Sequence, residues 1–400
     1  MSLLTTKLYI PPIRPDPSTG LRASLVPRPR LIERLNEGLL RQSGGFARKL
    51  TLISAPAGFG KTTLVGAWIH HHDGLRAAWV ALDEGDNVPQ RFWAYVVAAL
   101  QTVDPAIGQA LSGALQSPQP PPLEAIVTAL INDVAEKSHG ASQPLILVLD
   151  DYHTITTPAV HSSFDFFLDY LPPGLHVVIT TREDLPFSLP RLRGRRQLVE
   201  IRAIDLRFTP EETAQLFNTV MDLNLPAEDV TTLSDRTEGW AVGLQMAALS
   251  LQRETRSNRH EFVCAFAGDN RLVADYLADE VLARQSSHLR TFLLQTSILE
   301  RLCGLLCFLL IGGNNSQSTL RDLEQANLFI VPLDHQRHWY RYHRLFADLL
   351  RTRLKEECSP ETIAGLHHRA SVWYAREGFC AEAIAHALQA DDDERASDLI

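Results

Sequence analysis

The chain has little of what equips a protein for oxidising surroundings or for a membrane. Cysteine is scarce: five in 400 residues, at Cys264, Cys303, Cys307, Cys358 and Cys380, an odd number with no CxxC pair. That argues against a disulfide framework or a structural zinc site and suits a reducing cytosol. The most apolar run, LCGLLCFLLI at 302–311, falls well short of the roughly 20 residues a membrane helix needs. It reads as a buried helix. The first residues, MSLLTTKLYIPPIRP, lack the apolar core of a secretory signal. A surplus of positive charge is missing too. The net charge of -9 argues against wholesale nucleic-acid binding, which needs a basic face. Only the first fifty residues lean basic: Lys7, Arg14, Arg22, Arg28, Arg30, Arg34, Arg41, Arg48 and Lys49 stand against Asp16, Glu33 and Glu37. The expectation is a cytoplasmic protein with no membrane partner.

What is present is an ordinary globular balance, 45% hydrophobic and 21% charged, in a chain long enough for two to four domains. Residues 1–25 read as an extended arm. A helix follows at 31–42, with Leu31, Leu35, Leu39 and Leu40 on one stripe and Gly44 and Gly45 ending it. Short apolar runs then alternate with helical stretches: 50–55, 77–82, 145–149, 177–181 and 198–201. Continuous apolar strands of this length predict a parallel sheet covered on both faces. The Pro-rich stretch 117–122 reads as a surface loop. Beyond 205 the strands largely stop. Thr209-Pro210-Glu211-Glu212 carries a capping box with proline at the first helical position. Helices run to about 253, a polar linker occupies 253–259, and 260–358 is mostly helical with a short strand pair near 329–332 and 338–342. The end reads as paired helices. Ala370, Trp373 and Tyr374 line one, Ala383, Ile384, Ala387 and Leu388 the next, and a last helix spans 394–400. A helical array needs about three repeats to bury its own faces, so the sequence is expected to stop inside a larger one.

The strongest motif follows the first apolar run: Ser54-Ala55-Pro56-Ala57-Gly58-Phe59-Gly60-Lys61-Thr62-Thr63. Gly60-Lys61-Thr62 fit the end of the phosphate-binding pattern GxxxxGK[ST], with Ala55 where the first glycine is expected. Gly58 and Gly60 allow the dihedrals that turn amides inward, and the following helix N-terminus completes an anion cradle. Lys61 reaches β- and γ-phosphates in this pattern, and the Thr62 hydroxyl ligates Mg²⁺. A glycine-rich turn with a chance lysine is the plain alternative. The second motif, LILVLDD at 145–151, is an apolar strand ending in acids. It delivers Asp150 to the Mg²⁺ shell and leaves Asp151 to orient or polarise an attacking water. The third is Arg182, at the exit of the run 177–181, as a sensor of the γ-phosphate or else a solvated strand-end arginine.

SAPAGFGKTTL, LILVLDDYH, ITTRE, TEGWAVGLQMAA and YRYHRLFADLLR, in this order, resemble the maltose-regulon activator (MalT-like) branch of the STAND class of signal-transduction ATPases, from Thr6 to Ile400. The resemblance implies an α/β plus all-α fold: a P-loop NTPase parallel sheet with helical lid, a winged-helix domain and the start of a helical superhelix. The implied boundaries are 1–48 for the arm and first helix, 49–206 for the nucleotide-binding domain, 207–255 for the lid, 256–360 for the winged helix and 361–400 for TPR-like repeats. Residue by residue, it matches Val26-Pro27-Arg28 to a segment near the adenine, Gly58 through Thr63 to the phosphate loop, Asp150 to the metal acid and Arg182 to the sensor. Gly239-Trp240-Ala241 matches the lid motif, with Ala241 where proline is often found. His343 matches a histidine that touches the β-phosphate of ADP in related switches; an ordinary satisfied histidine is the alternative. Members are nucleotide-driven switches. ADP holds a closed monomer; ATP plus an inducer, taken up by the superhelix, allows self-association. Members commonly end in a LuxR-type DNA-binding helix-turn-helix, and these 400 residues contain none, so DNA would be a partner only through a domain outside this chain.

Four features carry less weight. His70, His71 and His72 point different ways on a helix and suit no shared ion. Cys303 and Cys307 lie at helical spacing in apolar surroundings and read as core thiols. The run from Arg191 to Arg196 reads as a solvated loop, and Trp373 and Tyr374 as superhelix core. The function expected is an ATP/ADP-binding switch module with slow hydrolysis and ATP-dependent self-association. An AAA-type ATPase engine and a partner-binding helical scaffold are the alternatives.

Overall fold

The computed structural model describes residues 3–12, 25–39, 41–42, 45–72, 74–115, 117, 119–138, 145–187, 189–312 and 315–400. Arg14, Asp16, Arg22, Leu40 and Gly44, and most of the expected arm, lie outside these. The chain forms two compact units, Met1–Arg207 and Phe208–Ile400.

In the first unit five parallel strands form one sheet: β1 (Leu50–Ser54), β2 (Arg76–Ala81), β3 (Leu145–Asp150), β4 (Leu175–Thr181) and β5 (Leu198–Arg202), in the order β2-β3-β4-β1-β5. Their sequences are near-continuous apolar runs because helices cover both faces; β1, β3 and β4 are buried along their whole length. Edge strand β5 alternates between buried and half-buried residues. The register sets the rim from which the functional loops leave. Ser54 pairs with Thr181 and Arg202, and Leu149 pairs with Ile179, so Asp150 ends beside Thr180.

Helix α1 (Pro29–Asn36) begins and ends earlier than the leucine stripe suggests. Pro29 suits the first helical turn, where no amide partner is needed. The stop is tertiary. Gly38 is pressed against the sheet, where an added Cβ would sit 2.7 Å from Thr51 Oγ1 and 2.8 Å from His176 Nε2. A short 3₁₀ turn, Glu37–Leu39, and a two-residue strand, Arg41–Gln42, which pairs with Gly45–Phe46, lie in the rest of the span expected to be helix.

Helix α2 (Lys61–His71) follows β1; α3 (Pro89–Val103) follows β2, α4 (Leu123–Ser138) precedes β3 and α5 (Pro158–Asp169) lies between β3 and β4. One aromatic core joins α3 and α5: Trp93 meets Phe92 and Phe167 edge-on, each with centroids 5.4 Å apart. The arginine run does not form the expected loop. It lies largely in helix α6 (Leu189–Gly194), where Arg193 chelates Glu200 at 2.6 and 2.8 Å and Arg191 pairs with Asp169. Carboxylates on neighbouring elements thus meet Arg191 and Arg193, while Arg195 and Arg196 lie exposed beyond the helix.

The second unit opens with α7 (Pro210–Gln215), whose capping box closes as the sequence suggests: the Glu212 amide donates to Thr209 Oγ1, and the Thr209 amide to Glu212 Oε2. Helices α8 (Ala227–Thr237) and α9 (Ala241–Leu251) flank Glu238-Gly239-Trp240. The apolar run at 302–311 forms α10 (Gly304–Ile311), but not as a wholly buried helix. Leu306, Cys307 and Leu310 face the core, whereas Leu305 is 56% exposed and Phe308 and Leu309 are exposed as well. Strands β6 (Ile330–Pro332) and β7 (Tyr340–Tyr342) pair antiparallel before α11 (Arg344–Glu357). Helices α12 (Pro360–Arg376) and α13 (Cys380–Gln389) pack as a hairpin around Ala370, Trp373, Tyr374, Ala383 and Ala387. His386 takes the inward place expected of Leu388, which is exposed. The last helix, α14 (Asp393–Asp398), starts earlier than expected because the Asp392 side chain caps it. No helix among the described residues is long and apolar enough to cross a membrane.

Candidate nucleotide site

The candidate site lies at the C-terminal rim of the sheet, where an open α/β sheet presents its ligand crevice. Between β1 and α2, Gly58 and Gly60 both have φ of 77°, left-handed backbone that glycine adopts without strain. At Gly60 an added Cβ would meet nothing within 4 Å, so backbone geometry rather than space calls for glycine. Gly60 caps α2, and the first helical amides, from Lys61 onward, lack intrahelical partners. A helix dipole and free amides pointing out of a glycine turn make an anion receptor. Ala57 and Phe59 are buried beneath the loop, Gly58 and Gly60 half-buried, and Thr63 exposed.

Lys61 is 7% exposed. Its Nζ donates to the carbonyls of Ala55 (2.8 Å) and Pro56 (2.9 Å), folding the ammonium back over the loop. Burial pushes its pKa down to about 8; Asp151 and Asp150 oppose that shift, and Arg182 reinforces it. Arg182, the first residue past β4, leaves this same rim as a second cation. Thr62 Oγ1 donates to Asp150 Oδ1 at 2.9 Å across a sequence gap of 88 residues. Asp150 is buried, and burial together with Asp151 raises its carboxyl to about 6. Lys61, Thr62, Asp150, Asp151 and Arg182 thus all leave the same rim of the sheet, with a direct hydrogen bond between Thr62 and Asp150.

The structure adds one participant that the motifs do not indicate. Thr180 Oγ1 donates to Asp150 and accepts from the Asp151 amide at 3.0 Å, so one hydroxyl orients both acids. The run VVITT displays two hydroxyls at a strand end, but only the strand order, β4 beside β3, gives one of them this role.

The remaining expected residues are placed by their own contacts. Val26 is buried, and Arg28 donates from Nη2 to the carbonyls of Leu206 and Arg207, each at 2.8 Å, tying the chain before α1 to the end of this unit. His343 belongs to the second unit. It is 2% exposed, with Nε2 3.0 Å from the Thr237 carbonyl and its ring packed edge-on against Trp240 and Phe329.

The donors fit a hard divalent cation. A threonine hydroxyl and a carboxylate already lie at hydrogen-bonding distance, and the raised Asp150 carboxyl is what a buried acid shows when its charge is incompletely matched.

Residues 278–362 match the MalT winged helix domain. The HTH-type transcriptional regulator MalT of Klebsiella pneumoniae is 36% identical over 363 residues, 90% of this chain and 39% of the regulator. MalT of Yersinia enterocolitica is 38% identical over the same length, with the same coverage. The serine/threonine-protein kinase PknK of Mycobacterium tuberculosis is 34% identical over 391 residues, 97% of this chain and 34% of the kinase. The chain thus spans less than two-fifths of the length of these curated relatives. Among solved structures, the Aeropyrum pernix ORC1 protein in complex with DNA aligns with a TM-score of 0.41 and 16% identity, covering 87% of this chain and 94% of that one. So distant a likeness identifies neither function nor partner. Over nine-tenths of its length the chain is thus similar to one part of the MalT regulators, with a P-loop-type parallel sheet in its first unit and a segment matching the MalT winged helix domain in its second.

Proposed function

We propose that this chain is the ATP/ADP-binding switch module of a cytoplasmic signal-transducing regulator of the STAND class, with slow hydrolysis and ATP-dependent self-association. The observation that carries the reading is the Thr62–Asp150 hydrogen bond at the foot of a left-handed glycine loop, with the Lys61 ammonium beside it. Thr62 and Asp150 would hold Mg²⁺, which supplies charge neutralisation at the phosphates when bound. Lys61 binds the terminal phosphates, Arg182 distinguishes ATP from ADP, and Asp151 orients water. Val26 and Arg28 border the base, and His343 favours ADP; for these three the support is the resemblance alone. The same stretch is similar to parts of a transcriptional regulator and of a protein kinase, as expected of a regulatory module joined to different outputs. TPR-like repeats beginning at α12 would read an inducer. DNA would be met only through a further domain. Such a switch moves only as far as its ligands differ in affinity for its two states.

The test is nucleotide retention. The wild-type chain, gently purified, should carry ADP or ATP. Lys61→Ala should emerge empty, with affinity down by about a hundredfold or more, about 2.7 kcal/mol. A folded Lys61→Ala protein still holding stoichiometric nucleotide would refute the reading. Steady-state turnover near one per second or faster would point to an ATPase engine instead.

A further inference from the structure

Asp151 follows a buried strand yet adopts φ of 58°, a left-handed conformation that a non-glycine residue holds only when its surroundings fix it. Its amide is held by Thr180 Oγ1, and its carbonyl accepts from both the amide (3.1 Å) and the hydroxyl (3.0 Å) of Thr154. The turn that makes those bonds is itself held from another loop. Asn87, just past β2, donates from Nδ2 to the Thr154 carbonyl at 2.8 Å. Its Oδ1 accepts from the amides of Thr156 (2.7 Å) and Thr157 (3.0 Å). One carboxamide thus grips residues 154, 156 and 157, the far side of the turn whose Thr154 holds the Asp151 carbonyl, across 67 to 70 residues of sequence.

Asn87 is braced in turn. Its neighbour Asp86 is fully buried and is paired with Arg91 Nε at 3.1 Å and with the Lys7 ammonium. Lys7, itself 8% exposed, also reaches Asp83 at 3.0 Å and lies 4.4 Å from the centroid of the Tyr95 ring. It comes from the N-terminal turn Thr5–Leu8, which is fixed further by the Leu4 amide donating to the Tyr95 hydroxyl at 3.0 Å. Burying an ammonium and a carboxylate costs much of what their attraction returns, so such a pair contributes more to the geometry it imposes than to net stability.

We infer that Asn87 is the positioning residue for Asp151, and that the N-terminal turn holds Asn87 in place through Lys7 and Asp86. The N-terminal turn then acts on ATP hydrolysis rather than on nucleotide binding, because neither Asn87 nor Lys7 contacts the glycine loop or Thr62 among the described hydrogen bonds and ion pairs. This rests on the nucleotide-switch reading, in which Asp151 orients the attacking water.

The experiment uses the full chain, ADP calorimetry and single-turnover hydrolysis of Mg·ATP. Asn87→Ala should lower the hydrolysis rate by about tenfold or more, since small misplacements of a positioned group are expensive, while ADP affinity stays within about twofold, the split that marks an effect confined to the reacting step. Asn87→Asp, which keeps the acceptor and loses the donor to Thr154, should fall between. Lys7→Met should slow hydrolysis in the same direction, and Lys7→Arg should restore it. Hydrogen exchange should quicken at the Thr156 and Thr157 amides in Asn87→Ala and Lys7→Met. Faster exchange there with unchanged hydrolysis would overturn the inference, as would a parallel loss of ADP affinity or a wild-type chain that binds ADP but never hydrolyses ATP. A wild-type chain that binds no nucleotide would instead sink the switch reading on which this rests.

Discussion

Asp150 and Asp151 are adjacent, chemically identical and placed in opposite circumstances. Asp150 ends a buried strand and is almost wholly enclosed, whereas the side chain of Asp151 is 44% exposed in a left-handed turn. Apolar residues followed by two acids are enough to read this division from sequence, because burial of the strand dictates which acid points inward. The Thr180 bridge was not legible, since it depends on which strand lies next to β3. His343 poses the reverse problem: the resemblance gives it a phosphate, and the structure gives its Nε2 a backbone carbonyl. If the ADP role holds, His343→Gln, which can still donate to Thr237, should weaken ADP relative to ATP by about tenfold, or about 1.4 kcal/mol. Calorimetry with both nucleotides reads this directly; an unchanged ratio in a folded variant would leave His343 as a packing residue.

Among the elements, the sheet was read well because parallel strands buried on both faces leave an unambiguous trace. Boundaries set by tertiary contact were not. Leucine spacing cannot report that Gly38 lies against Thr51 and His176, so it predicts a longer first helix than the chain forms. Helix α10 shows a second limit: a segment apolar on every side has no periodicity from which to infer the covered face. The structure separates the faces. Leu306→Ala, at 0% exposure, should cost about 2–5 kcal/mol in urea unfolding of the full chain. Leu305→Ala, at 56% exposure, should stay within about 0.5 kcal/mol. Equal costs would mean that this helix is covered all round, as the sequence alone suggests.

At the scale of the molecule, each unit encloses a neutral histidine, and that couples stability to pH. In the first unit His176 lies fully buried between the Arg48 carbonyl and the Thr51 hydroxyl, and burial pushes its pKa down to about 4. In the second, His386 stacks on Tyr374 at 5.4 Å and meets His367 nitrogen to nitrogen at 2.8 Å; burial, then the His367 charge, lowers it to about 4 as well. In both, the folded pKa lies below the value near 6.5 of an exposed imidazole, so the unfolded chain takes up protons first. The contribution of these two histidines should therefore be level above about pH 7 and fall as pH drops from 6.5 toward 4, by about 2 kcal/mol per histidine at pH 5; in the first unit the raised Asp150 carboxyl acts in the opposite sense and offsets part of it. Replacing His386 with Gln should flatten the acid limb for the second unit alone, because the His176 contribution belongs to the other unit. Urea unfolding at pH 7 and pH 5, followed separately for the two units by hydrogen exchange, measures both limbs. A second unit equally stable at both pH values would show that burial does not hold His386 below the ordinary imidazole range.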